Sequence, residues 1–158
     1  MSIDLNHVAP DFEALDWKGN SFKLSEFKGK KLVFLIFNRG FVWPYCRKHM
    51  AQLRQDYELF LKEDTIIVAV GPEGKEAFAK YWQENQMPFY GIPDPDHTIA
   101  NQYGQKVNLI KLGRMPAHVI IDKQGMIKHV HYGASMKDIP ENDIVLYKFL
   151  FLHTPDLI

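Results

Sequence analysis

The chain has 158 residues, 46% of them apolar and 24% charged, with Lys+Arg and Asp+Glu balanced at 19 each. That length suits one domain, taken as 1–158, with a sizeable core, and the even charge excludes the basic surplus that a nucleic-acid binder needs. A lone cysteine, Cys46, excludes an intramolecular disulfide and any multi-cysteine metal site.

The N-terminal stretch MSIDLNHVAPDF has neither the basic nor the apolar region of a secretory signal, and no apolar run reaches membrane-spanning length. A cytoplasmic protein that does not enter a membrane is expected. Val8 to Leu15 alternates loosely, and Gly19-Asn20 is a turn signal, so Ser21 to Leu24 is expected to return as the second strand of an N-terminal hairpin. Ser25 to Phe27 reads as a single helical turn. Leu32 to Phe37, LVFLIF, is an unbroken apolar run between turn signals and reads as a strand buried on both faces.

The first long helix is expected to open at Trp43-Pro44, since proline is favoured at the first helical position, and to run to about Lys62. Its apolar stripe is Cys46, Met50, Leu53, Tyr57, Phe60 and Leu61. Thr65 to Val70 is a second buried strand, closed by Gly71-Pro72-Glu73-Gly74, which lacks the Gly-Lys-Ser/Thr ending of a phosphate loop. Lys75 to Gln86 reads as a helix with Phe78, Tyr81 and Trp82 inward. Phe89 to Ile92 is an edge strand stopped by Pro93 and Pro95. Asp96 is the expected N-cap of a short helix from His97 to Tyr103. Gln105 to Arg114 reads as irregular, Ala117 to Ile121 and Met126 to Tyr132 as a hairpin, and Glu141 to Leu152 as a closing helix. That helix is apolar on more than one side (Val145, Leu146, Phe149, Leu150, Phe151, Leu152), which favours a homodimer. Strands interleaved with helices give an α/β class: three layers, a central mixed sheet with helices on both faces, and an N-terminal β-hairpin.

Chemistry gathers at Asn38 to Leu53. Cys46 falls in the first turn of a helix, where free N–H groups and the helix dipole favour a thiolate. With Arg39 and Arg47 near in sequence, the thiol is expected to fall from about 8.5 towards ~4–7. A thiolate attacks peroxide to give a sulfenic acid. The competing reading is a buried packing cysteine, and position alone does not separate the two. His49 reads as a helix-flank residue. His129 and His131 share a side of their strand, and Asp94, Asp96 and His97 cluster in a turn. A zinc or iron site would need a third ligand brought near by the fold, and alternating strand histidines and an Asp-rich turn are commoner as plain surface features, so no metal is expected.

Taken together, Ala9-Pro10-Asp11-Phe12, the Asp16 to Leu24 hairpin, Gly29-Lys30 before LVFLIF, Arg39 to Cys46, Asp94-Pro95-Asp96-His97, Ala100 to Gly104 and Met115 to Asp122 resemble the peroxiredoxin (AhpC/TSA) family in order and spacing. The resemblance implies a thioredoxin-like fold and a one-cysteine peroxidase without cofactor. Its substrate would be hydrogen peroxide or a small organic hydroperoxide, and its reductant an external thiol such as a thioredoxin-like protein. Cys46 would be the peroxidatic cysteine, Arg39 and Arg114 its anion stabilisers, and Phe41, Trp43, Pro44, Tyr45 and Pro116 the surround. The family pattern Pro-x-x-x-Thr-x-x-Cys is altered: Arg39 replaces the proline and Trp43 the threonine, trading a hydroxyl for an indole that offers one N–H and no acceptor. Trp43 also stands where cousins with a Cys-x-x-Cys pair carry their first cysteine. Pro116 holds the place of the family's sheet-side arginine, as in thioredoxins, where the matching proline is cis; the same is expected of Met115-Pro116. Two rival readings are a thioredoxin-fold binding or redox-sensing module that has lost catalysis, and an oxidoreductase forming mixed disulfides through Cys46.

Overall fold

Six apolar residues in β3 (Leu32–Phe37) are all buried, because this strand lies at the middle of the sheet with layers on both sides. The computed structural model describes residues 3–105, 107–108 and 113–153. β4 (Thr65–Gly71) pairs parallel with β3, and β5 (Tyr90–Pro93) parallel with β4 at the edge. On the other flank β8 (Ala117–Ile121) runs antiparallel to β3, and β9 (Ile127–Tyr132) antiparallel to β8. The strand order is β5-β4-β3-β8-β9, a mixed sheet as expected.

Alternation along β3 divides the core in two. Leu32, Phe34 and Ile36 face Met50, Leu53, Phe60, Phe78, Trp82, Val145 and Phe149. Those side chains come from α1 (Pro44–Gln55), α2 (Tyr57–Lys62), α3 (Lys75–Glu84) and α5 (Asn142–His153). Helices α1 and α3 both join parallel strands that step the same way across the sheet, so right-handed crossovers place them on one face. Val33, Leu35 and Phe37 face Phe12, Phe22, Leu24, Ile99 and Tyr103, supplied by α4 (Thr98–Gln102) and the N-terminal hairpin, β1 (Glu13–Leu15) with β2 (Ser21–Lys23). The hairpin turn is held by Asp16, whose Oδ1 accepts the N–H groups of Lys18 and Asn20, each at 2.9 Å. A 3-10 turn, Leu24–Phe27, follows it.

Several expectations are corrected. The helix expected to reach Lys62 unbroken is interrupted at Asp56 (φ −96°, ψ 10°). The break rotates the stripe, so Leu61 points outward, 41% exposed. Asp56 Oδ2 instead accepts from Asn142 Nδ2 at 3.0 Å, tying this corner to the start of α5. The N-cap position of α4 is His97 rather than Asp96, and Asp94 supplies the acceptors: its two oxygens take the N–H groups of Ile99 (3.2 Å) and Ala100 (3.0 Å), whereas Asp96 Oδ1 lies 3.4 Å from Thr98 N. Within the stretch read as irregular, β6 (Val107–Asn108) pairs with β7 (Gly113–Arg114); residues 106 and 109–112 lie outside the description. Met115–Pro116 is trans, as is every peptide bond among the described residues; trans is the lower-energy isomer for such a bond. On α5, Val145 and Phe149 are buried while Ile144 and Tyr147 are exposed; the side chains of Leu150 and Phe151 lie outside the described residues.

Candidate active site

β3 ends at Phe37 and the chain turns sharply before α1. Asn38 continues the ladder, its N–H donating to Val70 O at 2.8 Å, and its Oδ1 accepts Gly40 N–H at 2.6 Å. Gly40 takes φ +137°, a conformation that side-chain-bearing residues rarely adopt. This bend delivers the chain to Trp43, the residue before α1, with Pro44 at the first helical position.

Cys46 is the third residue of α1 and is a free thiol, 2% exposed. Backbone N–H groups of Arg39 and Gly40 reach its sulfur, and the Arg39 charge favours its ionisation. These effects lose to desolvation. Burial pushes the thiol above its ordinary value, and the Glu73 carboxylate adds to the push. The expected depression is therefore corrected in direction. A first-turn position helps a thiolate most where the thiol also keeps contact with water, and here it is almost covered.

The arrangement around Cys46 draws together some of the residues anticipated from the sequence. Arg39 is buried; its Nε donates to Arg114 O at 2.7 Å and its guanidinium lies 4.1 Å from the centre of the Trp43 ring. The indole in the threonine position thus acts as a plate for the arginine. Phe41 stacks on Tyr81 at 4.2 Å and meets Phe78 edge-on at 4.9 Å, forming an apolar wall. Pro44 is exposed, and Tyr45 is partly so, with Lys137 Nζ 5.7 Å from its ring.

The other expected members have contacts of their own. Arg114 serves Arg39 through its carbonyl, while its own guanidinium is half-buried, feels Asp94, and has an Nη1 without a hydrogen-bond partner among the described residues. Pro116 packs on Gly133, whose N–H donates to Pro116 O at 2.8 Å. His49 is not a flank residue. It is 4% exposed and stacks on His118 at 4.8 Å, and burial pushes its pKa down to about 3. His131 is engaged by Asp138 at 2.9 Å.

Two contributors escape the sequence reading. Gln105 is buried and its Nε2 donates to Met115 O at 2.9 Å, tying the strand-side loop down. Glu73, from the turn after β4, accepts Phe41 N–H at 2.5 Å through Oε1. No periodicity or motif marks either residue; only the neighbouring of β3 with β4 brings Glu73 to the loop before α1.

Residues 5–130 match the model of the AhpC/TSA family. Similar proteins include peroxiredoxin Bcp of Bacillus subtilis, 29% identical over 132 residues that cover 80% of this chain and 83% of that protein. Another is the thiol-disulfide oxidoreductase ResA of Geobacillus kaustophilus, 28% identical over 138 residues, covering 87% of this chain and 74% of that one. Among solved structures, peroxidoxin BcpB of Mycobacterium tuberculosis superposes with a TM-score of 0.80 at 21% identity, covering 92% of this chain and 96% of the other. The reduced 2-Cys peroxiredoxin of Plasmodium vivax gives 0.83 at 18% identity, covering 94% and 81%. At that identity the likeness is one of fold.

Proposed function

We infer that this chain, which belongs to the AhpC/TSA family, is a thiol peroxidase that reduces hydrogen peroxide or a small organic hydroperoxide through Cys46. The observation that carries this reading is the placement of the chain's one thiol in the first turn of α1, with the Arg39 and Gly40 N–H groups on its sulfur and the Arg39 charge beside it. Oxyanion-type donors fixed before reaction stabilise charge as it develops. Arg39, anchored by Arg114 O and Trp43, is the cation of the site; Arg114 acts as its anchor rather than through its own charge. Phe41, Trp43, Pro44 and Tyr45 make the rim, and Pro116 supports the strand side.

The thiolate attacks one peroxide oxygen, leaving a sulfenic acid. With one cysteine in the chain, an external thiol must reduce it, and we assign that task to a thioredoxin-like protein in a cytoplasmic setting. Intact-mass measurement after one equivalent of peroxide is expected to show one added oxygen on Cys46, and Cys46→Ser to abolish peroxide turnover. No added oxygen, or equal turnover by Cys46→Ser, would sink the reading. Excess peroxide without thiol should carry Cys46 to the sulfinic state.

The upward push on the thiol favours a second reading, a redox-sensing module with little turnover. Steady-state assay with excess external thiol separates them: many turnovers support the peroxidase, a single oxidation supports the sensor. The reading treats 1–158 as one domain. Exposed Ile144 and Tyr147 on α5 support a homodimer through that helix, and sedimentation equilibrium would show a monomer if this is wrong.

A further inference from the structure

Glu73 reaches back from the end of β4 to the loop that holds Cys46. Its Oε1 takes the Phe41 N–H, while the two preceding N–H groups, of Arg39 and Gly40, reach the Cys46 sulfur. Successive amides of one bend thus serve the thiol and the carboxyl, with the Gly40 N–H shared between the sulfur and Asn38 Oδ1. The slot for that carboxyl exists because two residues lack side chains. A Cβ at Gly40 would lie 3.0 Å from Oε1, and one at Gly71 3.2 Å from Oε2. Oε2 is buried with no hydrogen-bond partner among the described residues. An unmet buried oxygen of this kind is destabilising, so packing alone gives no reason for a carboxyl here.

Resting on the peroxidase reading, we propose that Glu73 accepts the proton of the Cys46 thiol and delivers it to the oxygen that leaves the peroxide. Among the described residues no hydrogen bond joins the thiol to the carboxyl, so the proton first passes from sulfur to the Glu73 carboxylate through one intervening water. The thiolate then attacks the terminal oxygen of R–O–O–H. An S–O bond forms as the O–O bond breaks; sulfur loses two electrons and the peroxide gains them. The leaving RO⁻ takes the proton from Glu73, restoring its carboxylate. The sum is Cys–SH + ROOH → Cys–SOH + ROH.

The electrostatics suit one proton held between the two groups. Burial pushes the Glu73 carboxyl up, and Glu73 opposes ionisation of Cys46. Tyr81, which faces both, is itself pushed up and stays protonated, so it does not compete as a base. Arg39 is the cation that offsets the charge while the proton moves.

Glu73→Gln keeps an acceptor for Phe41 N–H and removes the proton carrier. Oxidation rates of Cys46 are measured with tert-butyl hydroperoxide, whose leaving alkoxide needs a proton, and with peracetic acid, whose leaving acetate does not. The ratio of the alkyl hydroperoxide rate to the peracid rate is expected to fall at least ~10-fold in the variant, at the low end of general-acid contributions. Parallel loss with both oxidants, or an unchanged ratio, overturns the role of Glu73 while leaving the peroxidase reading intact if the wild type turns over. A wild type that reacts with neither oxidant overturns both. If Glu73→Gln does not fold, Glu73→Ala, which also removes the proton carrier, carries the comparison, and its ratio must move the same way.

Discussion

At Cys46, burial and N–H groups act in opposite directions, and the sign of the result has a measurable consequence. A thiol whose pKa is raised stays protonated to higher pH, so reactive thiolate appears only as the pH climbs past the free-thiol value of about 8.5. Alkylation of Cys46 by iodoacetamide is therefore expected to show its midpoint above that of free cysteine; a midpoint below it would contradict the burial described. Arg39→Leu removes a charge that lowers the thiol, so the midpoint should climb further above that of the wild type. Cys46 and the arginine near it were visible in sequence because a lone thiol after a buried strand, just past a proline, is a local pattern. The direction of the shift was not, since it depends on how many atoms from α1, β3 and the turn after β4 crowd the sulfur. Glu73 was missed for the same reason.

On the scale of elements, α4 shows how one side chain can hold a junction. Asp94 is buried at the end of β5 and gives both oxygens to the first turn of a five-residue helix. A helix this short has almost no stability of its own. Asp94→Ala leaves two buried N–H groups unpaired and is expected to lower stability by about 1–3 kcal/mol, read as a lower urea midpoint; a change under half a unit of that scale would contradict the cap. The sequence pattern pointed to Asp96, because capping preferences count residues along the chain, whereas the path of the chain here carries Asp94 back under the helix. The break at Asp56 has a similar origin. Apolar spacing continues through it and gives no sign of the break, which is held by the tie from Asn142, far along the chain.

For the molecule as a whole, the buried histidines make acid a weak point. His49 and His118 sit beneath α1 against β8, neutral and stacked, with His49 pushed down to about 3 and His118 well below its ordinary value; half-buried His129 is pushed down to about 4. The unfolded chain takes up protons near pH 6.5 that the folded chain refuses. Stability is thus unaffected above that pH and falls as the pH drops below it, by about 1.4 kcal/mol per pH unit for each such histidine. Denaturation midpoints measured from pH 7 to pH 4.5 should fall, and His49→Leu should make the fall shallower; a flat profile in the wild type would contradict the burial of these rings. By itself the sequence determined the order of strands and helices, the mixed sheet with its N-terminal hairpin, and the place of the thiol. Those follow from periodicity, turn residues and a helix-opening proline, which are local and written along the chain. Only the tertiary structure decided which groups meet that thiol. Pairing β3 with β4 set Glu73 against the loop before α1, pairing β3 with β8 drew His118 over His49, and the depth of the resulting burial made Cys46 a protonated thiol at rest. Contacts between residues distant in sequence, and the desolvation they impose, leave no periodic mark to read.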